Sequence, residues 1–394
     1  MSSNYQINDR IEVTIEKIVP GGFGLGFAPK LTVFVQLTAP GDRLLVSITR
    51  LKKHIAFAEI VEILESSPLR IKPPCLYFGQ CGGCDFQQMN YQAQLDAKVA
   101  IIKDNLKRIA KIDEQGTIEI EGSPNVLNYR SRAQWHADPD SRNFGYFRRS
   151  SHEVIGVESC PILTPELDVV LKEIRRSIAW ENVWDDRVEF EAAASDDGAS
   201  INTSVPTEPP AIISYSTKDD TYYYSAETFF QGNHYLIEPL IEAAIGGTGG
   251  DTVMDLYCGV GLFSLPLARN FRAVLGVEGD EKAVEFAKLN AERAGIKNID
   301  FRNGDVDRML RNGEFERPDL LFLDPPRAGA DVESIKAIGR LGANEISYVS
   351  CDPSILARDL RILIDSDYEI AAMKAFDLFP QTHHVETVVR LKRL

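Results

Sequence analysis

Six cysteines, an aspartate followed by two prolines, and a histidine pair ahead of a glutamate carry most of this chain's chemical capacity. Spacing divides the cysteines. Cys75, Cys81 and Cys84 form C-x5-C-x2-C, with Cys160 a distant fourth. Four thiolates can hold zinc or an iron–sulfur cluster, and the uneven spacing departs from the paired C-x2-C knuckle of structural zinc, which favours the cluster. Cys258 lies inside the glycine turn DLYCGVG (255–261) and reads as structural. Cys351, in SCDP (350–353), directly follows a strand-like run, where a thiolate can act as a nucleophile toward an electron-poor carbon.

The other motifs say what such a nucleophile would work beside. Gly259 and Gly261 let the backbone approach a ligand closely after a strand. The third glycine of a dinucleotide fingerprint is replaced by Ser264, which disfavours NAD and leaves S-adenosylmethionine, a cofactor without a pyrophosphate, as the suitable ligand. Glu278 ends the next strand-like run and is placed to accept hydrogen bonds from ribose hydroxyls; Asp305 is a weaker candidate for the adenine amino group. In FLDPPRAG (322–329) the two prolines hold Asp324 rigidly, and Arg327 stands where amino-group methyltransferases place an aromatic residue. Methylation of an exocyclic nitrogen is therefore disfavoured. A thiolate adding to carbon 6 of uracil turns carbon 5 into a nucleophile for the sulfonium methyl, and a base must then remove the carbon 5 proton. Glu386, beside His383 and His384, is the candidate base.

Positioning these groups requires several folds in series. Residues 1–66 read as a small all-β barrel of strands broken by PGGFGLG and APGD. Residues 67–225 suggest an α+β domain, with a helix from about Tyr91 to Ala110 and another around Glu166–Trp180. Residues 226–394 alternate strands and helices, with seven strand candidates from DTVMDLY to VETVVRLK. The expected class is α/β: a Rossmann-like class I methyltransferase domain preceded by an OB-like β-barrel and a small α+β central domain.

The net charge of −15 opposes nucleic-acid binding over most of the surface, but residues 1–150 carry 19 Lys and Arg against 16 Asp and Glu. RNA contacts are therefore expected in that half. Arg130, Arg132, Arg148 and Arg149, interleaved with Tyr129, Trp135, Tyr146 and Phe147, form a candidate RNA surface. No apolar run approaches the roughly 18 residues of a membrane span, and no secretory pattern opens the sequence, so a cytoplasmic protein is expected.

FFQGN (229–233), DLYCGVG, LDPPRAG (323–329), SCDP and HHVETV (383–388), in that order, resemble the RNA 5-methyluridine methyltransferase family over nearly the whole chain. The barrel is similar to a TRAM domain, an RNA-binding module. The resemblance implies that Cys351 is the nucleophile and Glu386 the base. It implies that Gln231, Tyr257, Glu278 and Asp324 bind S-adenosylmethionine, with Phe229 and Gln231 near the target uracil. It also implies that Cys75, Cys81, Cys84 and Cys160 ligate a structural [4Fe–4S] cluster. Family members act on ribosomal RNA or on tRNA T-loop uridine, and the TRAM-plus-cluster layout points to ribosomal RNA. A radical-adenosylmethionine enzyme would need C-x3-C-x2-C, which is absent. A non-catalytic RNA-binding protein is opposed by the presence of both Cys351 and Glu386.

Overall fold

The computed structural model describes residues 5–113, 116–182, 188–204, 208–313 and 315–394. Strands β1 (Arg10–Val19), β2 (Phe23–Ala28), β3 (Leu31–Val35), β4 (Arg43–Lys52) and β5 (Ile55–Glu65) close into a barrel in the order β1-β2-β3-β5-β4. Alternation builds its core: Val13 and Ile15, Val33 and Val35, Val46 and Ile48, and Ala56 and Ala58 all point inward. A Cβ on Gly24 would stand 2.0 Å from Thr38 Oγ1, so only glycine lets β2 pass there.

Helix α1 (Tyr91–Asn105) is capped by Asn90, runs on into one wide turn (Leu106–Ala110), and is followed by the short strand β6 (Glu119–Glu121). Next, β7 (Arg132–Asp138), β8 (Asn143–Phe147), β9 (Val154–Gly156), helix α2 (Pro165–Ser177), β10 (Val188–Ser195) and β11 (Gly198–Thr203) make an antiparallel sheet, ordered β11-β10-β7-β8-β9, covered by α2. A hairpin, β12 (Ile213–Ser216) and β13 (Thr221–Tyr224), leads onward.

The C-terminal part alternates α3 (Ile237–Ile245), β14 (Gly250–Leu256), α4 (Ser264–Asn270), β15 (Phe271–Glu278), α5 (Glu281–Arg293), β16 (Ile299–Asn303), α6 (Val306–Asn312), β17 (Leu320–Leu323), α7 (Val332–Leu341), β18 (Glu345–Ser350), α8 (Pro353–Ile364), β19 (Tyr368–Phe376) and β20 (Glu386–Arg393). Its sheet runs β16-β15-β14-β17-β18-β20-β19-β6 and is parallel except for β20. Strand order reverses between β14 and β17, and such a switch point opens a crevice at the carboxyl ends of the strands. All seven expected strands are present.

An eighth comes from far upstream: β6 pairs in parallel with β19. Helix α1 packs on α8, and Ile102 and Leu106 share one core with Leu356 and Leu360. A three-residue strand and a helix from the 67–225 span thus complete the edge and one face of the C-terminal sheet. Among the described residues no helix is long and apolar enough to cross a membrane.

Candidate active site

At the carboxyl end of β14 the chain folds back through three left-handed positions, Tyr257 (φ 63), Gly259 (φ 53) and Gly261 (φ 91). Tyr257 pays a steric cost that the glycines avoid, and its hydroxyl donates to Asp307 at 3.0 Å. Cys258 is buried in the turn. Glu278, ending the neighbouring β15, accepts from the Gly259 N–H and the Asp280 N–H, both at 2.9 Å, which fixes its carboxylate against the turn. Asp255 is buried and bonded by the Ser264 hydroxyl. Burial pushes its carboxyl up to about 8, with Asp324 and Glu278 adding to the effect. Asp324, just past β17, is pushed up to about 7 by burial and by Glu278. Glu278 and Asp324 thus stand at the carboxyl ends of the two strands that flank β14, where negative charge suits a cationic ligand. Asp305 is exposed and serves as the cap of α6, accepting from the Arg308 N–H at 3.0 Å.

Cys351 and Glu386 meet through strand register. Antiparallel β18 and β20 pair Ser350 with Thr387, the last pair of that ladder, and Cys351 and Glu386 are the next residues on either side. Burial pushes the Cys351 thiol up to about 12, Glu386 and Asp324 push the same way, and Arg327 opposes them by its charge and a hydrogen bond. Glu386 is 3% exposed, and its Oε1 has no hydrogen-bond partner. Burial and Asp324 hold its carboxyl well above the usual range, so the group has a high affinity for a proton. Phe229 is 63% exposed and Gln231 buried on the loop before α3. That loop is tied to the segment leading to Glu386 by Asn233, whose side chain donates to the Leu378 carbonyl at 3.3 Å.

Cys75, Cys81, Cys84 and Cys160 are partly buried free thiols. Burial pushes Cys84 up to about 12, with Cys160 and Cys81 adding to the effect, and pushes Cys160 up to about 11, with Cys81 and Cys75 adding to it. Cys81 is raised by burial and by Cys75. Among the described residues no three His, Cys, Asp or Glu side chains gather tightly enough to hold a single metal ion.

The expected arginine and aromatic surface does not form. Tyr129 and Trp135 are core residues, and Arg132 donates to the carbonyls of Thr228 and Ala226. Arg130 donates to the Arg132 carbonyl at 2.9 Å, and Arg149 binds Asp85 and the Cys84 carbonyl. Only Arg148, paired with Glu153, lies near the surface with its charge outward. The guanidinium groups are used to satisfy buried carbonyls, a demand that the linear spacing does not display. Asp85, adjoining Cys84, was not among the expected site residues, although it reaches His383 at 2.6 Å. Its only sequence signal is an acid beside a candidate ligand.

Residues 212–394 match the tRNA (Uracil-5-)-methyltransferase family, and residues 6–61 match the TRAM domain. An uncharacterized RNA methyltransferase of Thermotoga maritima is 32% identical over 437 residues, covering 96% of this chain and 98% of that one. Another, from Caldanaerobacter subterraneus, is 32% identical over 99% of both chains. Among solved structures, the Pyrococcus abyssi tRNA (uracil-54, C5)-methyltransferase in complex with S-adenosyl-L-homocysteine superposes with a TM-score of 0.75 at 25% identity, covering 97% of this chain and 100% of that one. The chain therefore belongs to the RNA uracil-5-methyltransferase family of S-adenosylmethionine-dependent enzymes.

Proposed function

We propose that this enzyme methylates carbon 5 of a uridine through a covalent adduct between Cys351 and the base. Cys351 Sγ bonds to carbon 6, and the resulting enolate carries its electron pair at carbon 5. Carbon 5 takes the methyl group as the sulfonium carbon–sulfur bond breaks. Glu386 accepts the carbon 5 proton, and the carbon 6–sulfur bond then breaks to return the thiolate. The observation that supports this reading is the adjoining ends of β18 and β20, where the Cys351 thiol feels the charge of Glu386, a buried carboxyl with an unpartnered oxygen. Glu278 faces the ribose hydroxyls of S-adenosylmethionine, Asp324 its cationic part, and Tyr257 and Gln231 complete that cofactor site. Phe229, exposed beside it, stacks on the target uracil.

RNA approaches across the barrel. Phe23, Phe34 and Phe57 pack on its outer face with centroids 5.4 to 6.3 Å apart, and Arg50 lies 3.8 Å over the Phe57 ring. Half-buried rings with a guanidinium are the kind of platform on which unpaired bases stack. Arrangement of barrel and cysteines favours ribosomal RNA; likeness to the Pyrococcus enzyme favours tRNA.

Cys75, Cys81, Cys84 and Cys160 fit a [4Fe–4S] cluster better than zinc. The thiols lie near enough to feel one another's charge, and four cysteines spaced C-x5-C-x2-C with a distant fourth depart from the paired C-x2-C knuckle of structural zinc. Bound there, the cluster would supply a covalent tie between the 75–84 loop and Cys160. Methyl transfer itself needs no electron.

Incubation with labelled S-adenosylmethionine and separate tRNA and ribosomal RNA pools tests the reaction and its target. Wild-type protein should label one uridine type at carbon 5. Cys351→Ala should bind the cofactor and transfer nothing; residual transfer by that variant overturns the adduct.

A further inference from the structure

The residue proposed as base is reached through a loop, residues 377–385, that is held from outside its own sheet. Gln381, at its centre, has a φ of 69°, a conformation that strains a non-glycine residue and persists only where neighbours over-determine it. Four neighbours hold it. The Gln381 N–H donates to Gln94 Oε1 at 2.9 Å, and its carbonyl accepts from the N–H groups of Asp85 and Phe86, each at 2.9 Å. Its side chain donates to the Val126 carbonyl at 3.2 Å and accepts from Gln94 at 3.1 Å.

Two residues later, His383 Nδ1 donates to one Asp85 carboxylate oxygen at 2.6 Å, while the other oxygen accepts from Arg149 at 2.9 Å. The His383 ring lies 4.1 Å from that of His384, which feels the charge of Arg327. A Cβ on Gly22 of the barrel would come within 3.1 Å of His383, so the β1–β2 hairpin is packed against the same residue. Val385 and Glu386 follow directly.

We propose that Asp85 and His383 are positioning residues for Glu386: their hydrogen bond, backed by the strained Gln381, latches the loop that aims the base. The segment immediately after Cys84 thereby governs proton removal and release of methylated RNA, not formation of the adduct. Whatever fixes the four cysteines also fixes this latch. The proposal rests on the covalent reading above.

The test uses the full chain, single-turnover methyl incorporation, and the fraction of protein held in a denaturant-resistant, methyl-labelled RNA adduct. His383→Ala should slow release by about tenfold to 100-fold and accumulate adduct, as expected when a base is displaced by an ångström or so. RNA KM should stay within about twofold, which separates release from binding. His383→Asn keeps an N–H where Nδ1 stood and should restore release. Asp85→Asn should behave like His383→Ala with an unchanged visible spectrum and iron content. Release at the wild-type rate in His383→Ala overturns the latch, as does equal loss of methylation and release in both His383 variants. Glu386→Gln, run in parallel, is the fully trapped reference. No adduct in Glu386→Gln overturns the covalent reading itself, whereas adduct there with normal release in His383→Ala overturns the latch alone.

Discussion

In the proposed reaction Cys351 attacks only after its proton leaves, and burial, Glu386 and Asp324 all resist that departure. Arg327 is the group that favours the thiolate, through charge and a hydrogen bond. Replacing it with alanine should lower the rate at pH 8 by about tenfold or more, since an opposite charge at contact is worth 1–3 pKa units. The ascending limb of the pH–rate profile should move to higher pH, and a profile that falls uniformly without moving would assign Arg327 to RNA binding instead. This residue was legible as an oddity, an arginine where an aromatic belongs in exocyclic-nitrogen methyltransferases. Cys351 was legible too, because the other cysteines could be assigned elsewhere. Asp85 was not: it and His383 lie 298 positions apart, and nothing local to either announces the other.

Elements place the charges that single residues cannot. The ends of β14, β15 and β17 bring Asp255, Glu278 and Asp324 to one edge of the sheet, and burial pushes Asp255 up to about 8 and Asp324 up to about 7. Raising the pH from 6 through 8 removes their protons and increases the negative charge at that edge, where the proposed cofactor site lies. S-adenosylmethionine should therefore bind about three- to tenfold more tightly at pH 8 than at pH 6, a shift of the size one nearby charge produces. S-adenosylhomocysteine lacks the sulfonium charge and should gain less; equilibrium titrations giving both ligands the same pH dependence would exclude this account. The seven C-terminal strands could be anticipated from their apolar, strand-like runs, four of which end in a motif, though their order in the sheet could not. The edge strand β6 could not, since three residues carry no periodicity and its partner lies far along the chain. The inward turn of Arg130, Arg132 and Arg149 was equally hidden, because the carbonyls they satisfy belong to loops brought near only by folding.

Over the whole molecule, a net charge of −15 leaves stacking and local charge to hold an RNA that the average surface repels. The phenylalanine face of the barrel is suited to that. Phe57→Ala should raise the RNA dissociation constant about tenfold, within the 1–3 kcal/mol of one stacked base, with kcat unchanged in filter-binding and turnover assays. A loss of kcat without a loss of affinity would place the face outside the RNA path.

The pairing of β6 with β19 also bears on how the protein is made. At about 5–20 residues per second, roughly 250 residues, or some tens of seconds of translation, separate the emergence of the two strands from the ribosome. Through that interval the apolar side of α1, including Ile102 and Leu106, waits for Leu356 and Leu360. The barrel and the cysteine-bearing segment are complete long before the sheet that they complete exists, so the nascent chain carries an exposed greasy helix that has to be kept from self-association until the last strands arrive.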